Sequence, residues 1–347
     1  MRLSTSLPYA GNIKDAVARV RDLASAGIDL VWVAEAYGFD AVSVLGYLAA
    51  QTETLELGSG ILPIYTRTPT LMAMTAAGLD ELSDGRFVLG LGASGPQVVE
   101  GFHGVPYDRP VARTREIVEI CRAVWAREAP LTHDGAAYQV PLPAGEGTGL
   151  GKPLKIITHP KRAHIPVHIA ALGEKNVALS AEIADGWLPF LFLPDRSDAV
   201  FGPALAAGRE KRAPDLGPLD IVAGGVVAIG EPDEAKAALD TYARPMAALY
   251  VGGMGAKGHN FYNTLAQRYG YEAEAAEVQD LYLSGKKVEA AAAVPDDFLE
   301  LTNLCGPPGF VQERIAAFRD AGVTTLNVTP VGPDPVRVVE QLKAWTA

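Results

Sequence analysis

Only two cysteines, Cys121 and Cys305, occur in 347 residues, and neither stands in a CxxC or metal-ligand spacing. That scarcity excludes a disulfide framework and any metal site built on thiolates. Cys121 falls in the helical run EIVEICRAVW, where a small buried thiol is ordinary core. Histidine is scarce too, with six residues, and no HExxH motif or carboxylate cluster accompanies them, so no metal is expected. The chain lacks a GxSxG elbow, and no lysine ends an apparent strand where a Schiff base would form. No apolar run approaches the roughly 18 residues of a membrane helix, and MRLSTSLPYAG has no signal-peptide core, so a cytoplasmic protein is expected. Basic residues are outnumbered, 30 against 41 acidic, for a net charge of −11, which argues against nucleic acid. A small anionic ligand is compatible with that balance, because helix N-terminal N–H groups hold phosphate whatever the global charge.

What the chain does have is glycine, 36 residues, and the informative ones close apolar runs. From Leu55 to Phe102 the order is strand (LELGSGIL), helix (PTLMAMTAAGLDELSDG), strand (RFVLGLG) and a second Gly-rich loop (ASGPQVV). Two strands joined by a helix lie parallel, so both glycine loops sit at the carboxyl end of one sheet, where parallel α/β folds bind ligands. The same alternation runs through the chain: RLSTSLP, LVWVAE, LELGSGIL, RFVLGLG, PVHIAAL, GWLPFLF, LDIVAGGVVAIG and TTLNVTPV read as eight strands, most followed by a helix. The economical fold is an α/β (β/α)8 TIM barrel, a single domain over 1–347 with insertions at about 128–165 and 255–305. A doubly wound sheet would need two domains, and no linker divides the chain.

In such a barrel chemistry belongs to the strands' carboxyl ends. Those ends include Ser6 to Tyr9, Glu35 to Tyr37, Gly92 to Gln97, Ala170 to Lys175 and Trp187 to Phe190. LGEKN opens a helix, and Gly173 there admits a ligand close to the backbone, although an ordinary turn explains one glycine equally well. GASGPQ offers glycines, the hydroxyl of Ser94 and the amide of Gln97, with a plain turn again the alternative. Glu35 is a candidate proton donor or ligand acceptor; otherwise it is a buried acid paired with a neighbour such as Arg67. Tyr65, Arg67 and Trp187 are candidates to shape a substrate pocket, and His168 reads as a satisfied core histidine. Glycines with one strand-end acid and few acid–base groups suit an enzyme whose chemistry is carried by an organic cofactor.

VWVAEAYGFD, GSGILPIYTRTP, LDELSDGRFVLGLG and PVHIAALGEKN resemble the luciferase-like monooxygenase superfamily, in the branch that uses the deazaflavin coenzyme F420. The similarity spans almost the whole chain and is greatest to methylenetetrahydromethanopterin reductases and actinobacterial F420-dependent oxidoreductases. It implies a bulge in strand 3 with a non-proline cis peptide at Gly60–Ile61, on which the deazaflavin ring rests. It further implies that Gly92, Ala93, Ser94 and Gly95, with Ala171, Leu172 and Gly173, hold the coenzyme's phosphate-bearing tail, and that Glu35 faces coenzyme or substrate. A homodimer is implied; the second and third helices are candidate contact surfaces, although the apolar faces of VLGYLAAQT and ALSAEIADGW could equally pack within one barrel. Glu35-Ala36 stands where family members often have Asp-His, and Ser94-Gly95-Pro96 lacks the strand-4 acid of sugar-phosphate dehydrogenases, which argues against a sugar-phosphate substrate. The expected activity is hydride transfer between F420 and a small organic molecule. The alternatives are an FMN-dependent monooxygenase using reduced flavin and oxygen, and a non-catalytic F420-binding protein.

Overall fold

The computed structural model describes residues 1–8 and 11–347; Tyr9, grouped with the first strand's end, lies outside the described residues. Eight parallel strands close on one another in chain order: β1 (Arg2–Ser6), β2 (Leu30–Val33), β3 (Glu56–Ser59), β4 (Phe87–Gly92), β5 (Val167–Ala170), β6 (Gly186–Leu188), β7 (Asp220–Ala223) and β8 (Thr325–Asn327). The closing pair is β8 with β1, Leu326 opposite Leu3. Helices return the chain between them, and their ends carry the signals that stop and start helices. Asn12 accepts the Lys14 N–H at the start of Ile13–Ala26, and Gly27, with φ of 127°, ends it. Thr68 caps Pro69–Leu82, with Pro69 in the first turn.

Two sequence details serve packing. In LSDGR, Asp84 and Gly85 take left-handed backbone angles, φ 58° and 81°. That turn sends the Arg86 guanidinium to the carbonyls of Ala49, Thr52 and Leu55, closing the end of helix Ala41–Gln51. Inside the barrel two glycines make room for large rings. A Cβ at Gly58 would lie 2.3 Å from the Trp32 ring, and one at Gly186 would lie 2.1 Å from His168. His168 Nε2 pairs with Asp220 at 3.0 Å. Burial works to raise the Asp220 carboxyl, but hydrogen bonds from His168, Thr324 and Thr325 hold it below the usual carboxylate range.

All eight expected strands form, and the departures have local causes. The run LDIVAGGVVAIG breaks after β7, because the Asn327 and Thr302 carbonyls approach Gly224 and Gly225 to distances that exclude a Cβ. Its second half, Val226–Ile229, joins Leu304–Gly306 and Thr329–Pro330 in a separate parallel sheet. Leu304–Gly306 lies in the expected second insertion and is too short to show a periodicity. That insertion is otherwise largely helical, from Phe261–Arg268 to Asp296–Thr302. Helix Pro194–Arg209 gives no clear signal in the sequence, because Gly202, Pro203 and Gly208 interrupt its apolar period. Gly208 is there because a Cβ would stand 2.1 Å from the Ala178 carbonyl oxygen on the neighbouring helix, Glu174–Ile183. The first insertion is irregular apart from the short hairpin His133–Asp134 with Gln139–Val140. No helix among the described residues is long and apolar enough to cross a membrane.

Candidate active site

The carboxyl end of β3 carries one extra residue. Leu57 and Gly58 stand opposite Phe87 and Val88, whereas Leu62 and Pro63 stand opposite Leu91 and Gly92, so the register slips by one across Ser59–Ile61. The Ser59 hydroxyl replaces the lost ladder bonds: it accepts the Gly90 N–H and donates to the Gly90 carbonyl, both at 2.9 Å. On the other side the Gly60 N–H donates to the Val33 carbonyl at 2.7 Å and the Glu35 N–H to the Ile61 carbonyl at 3.3 Å. The Gly60–Ile61 peptide is cis. The bulge accounts for the LGLG sequence of β4: a Cβ at Gly90 would lie 1.7 Å from the Ser59 carbonyl oxygen, and one at Gly92 would lie 2.9 Å from Ile61 Cγ1. Gly92, expected to hold a phosphate, is therefore a buried packing glycine.

Glu35 is not the free acid considered above. Arg67 grips it in a bidentate pair at 2.5 and 2.9 Å, and the Ala41 N–H donates to the same carboxylate at 3.0 Å. Both side chains are largely buried. The alternative weighed for Glu35, an acid paired with Arg67, is the one realised. The pair ties the loop after β2, the loop after β3 and the start of helix Ala41–Gln51 around the bulge. Replacing Arg67 by Ala leaves a carboxylate without its counter-charge; we expect a loss of about 3 kcal/mol of stability. Chemical denaturation of Arg67→Ala, Glu35→Ala and the double variant checks this, and the double variant should recover part of the single loss.

Two other expected pocket residues turn out to be internal supports. Trp187 is fully buried between Phe192 and Phe201, and its indole N–H donates to the Ala171 carbonyl at 2.9 Å. It positions the loop after β5 from behind. A parallel strand buried on both faces gives no alternation from which to read that direction. Tyr65 donates to the Asp108 carbonyl at 2.8 Å and packs on Tyr107 and Arg113, and burial pushes its phenol far up.

The loops after β4 and β5 do stand at the mouth. Ala93 and Ala171 are buried, while Ser94, Gly95 and Leu172 are half-buried. Ser94 takes a left-handed conformation, φ 58°, which is unusual without glycine. Gly95 and Gly173 are different from Gly92. Their φ values, −105° and −75°, suit any residue, and a Cβ on either would meet nothing within 4 Å. Neither glycine is required by this chain's own packing. Gly173 begins the ten-residue helix Glu174–Ile183 without a side-chain cap, and one turn on, the buried Asn176 Oδ1 has no hydrogen-bond partner among the described residues. Uncapped N–H groups, an unpartnered polar atom and room for a Cβ thus coincide at the start of this helix.

A cavity of about 340 Å³ opens on the β1–β2 side of the mouth. Its roof comes from Leu249, Tyr250 and Met254, which no sequence signal singled out, because they reach the mouth only through tertiary folding. Tyr250 packs at a tilt against Phe190, after β6, with ring centres 4.3 Å apart and planes 43° apart.

This barrel, with a bulged third strand and the loops after strands 4 and 5 at its mouth, matches the sequence profile of the luciferase-like monooxygenases over residues 1–325, and the chain belongs to that family. It is 43% identical over 345 residues to the Mycobacterium tuberculosis protein named "Putative coenzyme F420-dependent oxidoreductase Rv3520c", covering 97% of each chain. It is 30% identical over 322 residues to the 5,10-methylenetetrahydromethanopterin reductase of Archaeoglobus fulgidus, covering 90% of this chain and 89% of the other. The coenzyme F420-dependent tetrahydromethanopterin reductase of Methanopyrus kandleri superposes with a TM-score of 0.78 over 99% of this chain and 97% of its own; at 22% identity that likeness is one of fold.

Proposed function

We propose that the chain is an F420-dependent oxidoreductase that transfers a hydride between the deazaflavin and a carbon of a small organic substrate at the carboxyl mouth of the barrel. The observation that carries this reading is 43% identity, across 97% of both chains, to a relative named for that activity. The residues present fit the coenzyme. Gly173 and Gly95 leave space that the chain's own packing does not use, at the start of helices that have no side-chain cap. Phosphate oxygens would take the free N–H groups of the loop after β5, with Ala171 held in place by Trp187. When bound, the coenzyme supplies the hydride that adds to a substrate C=O or C=C carbon while water supplies the proton, and it takes the hydride back in the reverse direction. The bulge presents the backbone of Ser59–Ile61 to the mouth, and the Glu35–Arg67 pair positions it. Glu35 thus acts as a positioning residue rather than as a proton donor.

Titration of the purified protein with coenzyme F420 and, in parallel, FMN, followed by tryptophan quenching, tests the reading. Saturable binding of F420 with weak FMN binding supports it. Preference for FMN moves the chain to the flavin monooxygenases. Tight F420 binding without turnover of any acceptor makes it a carrier, and binding of neither removes the cofactor reading.

We also propose a homodimer through the second and third of the principal helices. Leu71, Met74 and Leu82 are exposed along one face of Pro69–Leu82, together with Gly78, and Gly46 on Ala41–Gln51 also has open space around its Cα. Apolar side chains beside glycines allow two helix pairs to approach closely. Sedimentation should give twice the chain mass for the wild type and the single-chain mass for Leu71→Glu/Met74→Glu; an unchanged mass overturns the assignment.

A further inference from the structure

Resting on the deazaflavin reading and deepening it, we infer that the substrate is an uncharged, predominantly hydrocarbon compound held in the cavity beside β1 and β2. The cavity measures about 340 Å³, within the range of small-molecule sites. Leu7, Val33, Phe39, Val44, Leu249 and Met254 line it, and among the described residues none of its lining side chains belongs to Asp, Glu, Lys, Arg or His. Among the described residues the side-chain polar groups in the lining are the phenols of Tyr37 and Tyr250 and the amide of Asn12, whose oxygen is already engaged by the Lys14 N–H at 2.9 Å.

The cavity adjoins the bulge. Val33 and Ala34 line it, and the same strand end bonds Gly60 and Ile61 through the Val33 carbonyl and the Glu35 N–H. Cavity and bulge therefore flank one strand end, and neighbouring strands lie about 4.8 Å apart. The rim is apolar as well. Five aromatic side chains are exposed among the described residues, and three of them, Tyr37, Phe39 and Phe102, stand at this mouth; Tyr37 and Phe102 touch, with ring centres 6.2 Å apart. An exposed cluster of rings beside an uncharged cavity marks an entry path for apolar molecules. A polyhydroxylated, ionised or pterin-like substrate would lose its hydration here and find few partners for its polar groups. Each buried methylene, by contrast, gains free energy.

The test uses the whole chain and needs no turnover. N-Phenyl-1-naphthylamine, a neutral fluorescent probe, is bound and then displaced by 1-butanol, 1-hexanol and 1-octanol, while coenzyme F420 is titrated separately by tryptophan quenching. Each step of two methylenes should tighten displacement about tenfold. Leu249→Glu should weaken probe and octanol binding at least tenfold, Met254→Glu should do the same, and Leu249→Met should leave both unchanged. F420 affinity should be the same in all three variants. A flat alkanol series, or a series that both glutamate variants leave intact, overturns the apolar assignment even when F420 binds. A chain that takes the alkanols but no F420 overturns the deazaflavin reading and leaves the apolar site standing.

Discussion

Gly90→Ala should cost about 3 kcal/mol of stability or more, at the upper end of what overpacking does. The added Cβ would lie 1.7 Å from the Ser59 carbonyl oxygen, a backbone atom that no rotamer change can move. Ser59 cannot retreat either. Its hydroxyl is bonded twice to Gly90, and the next residue, Gly60, is held by Val33 on the far side. Gly90 has no positive φ, so the effect is steric and independent of conformational freedom. Gly92→Ala is the graded control. Its Cβ would meet Ile61 Cγ1 at 2.9 Å, a side-chain atom that can shift, so a loss of about 1 kcal/mol is expected. Urea denaturation of both variants checks the pair. Equal losses would mean that the bulge yields more readily than its hydrogen bonding indicates.

Gly173→Thr should have the opposite signature: stability within about 0.5 kcal/mol of the wild type, and F420 affinity lower by 10- to 100-fold. The backbone at Gly173, φ −75° and ψ 142°, is ordinary for threonine, its Cβ would have open space, and threonine is an acceptable residue at a helix start. Removing a glycine also narrows the unfolded ensemble slightly. The new side chain fills that space, and its hydroxyl competes for the N–H groups assigned to phosphate. Hydrogen bonds to a charged group contribute about 1.5–3 kcal/mol, which sets the size of the loss. Thermal unfolding and the quenching titration read the two effects separately. Retained F420 affinity in a stable Gly173→Thr protein would place the coenzyme's tail elsewhere.

The two glycines illustrate how far the chain could be read before it was folded. Both appear in the sequence as strand-end glycines beside a candidate ligand loop, yet Gly92 is demanded by Ile61 and Gly173 by nothing in the protein. Only the neighbours in three dimensions separate a packing glycine from a ligand glycine. In the sequence Arg67 suits both a pocket wall and a partner for Glu35; the closed barrel brings together these loops, 32 residues apart, and pairs the two side chains.

The order of eight strands, their return helices and the carboxyl-end position of the site were determined by the sequence itself. Apolar period, caps such as Asn12 and Thr68, and stops such as Gly27 are local properties, and a βαβ connection has one hand. The tertiary structure alone decided the rest. It fixed the one-residue slip opposite Gly90, the inward direction of Trp32 against the outward direction of Trp187, and the arrival of Leu249, Tyr250 and Met254 over the mouth. Strands buried on both faces carry no alternation to mark inside from outside, and contacts across 200 residues leave no periodic trace in the chain.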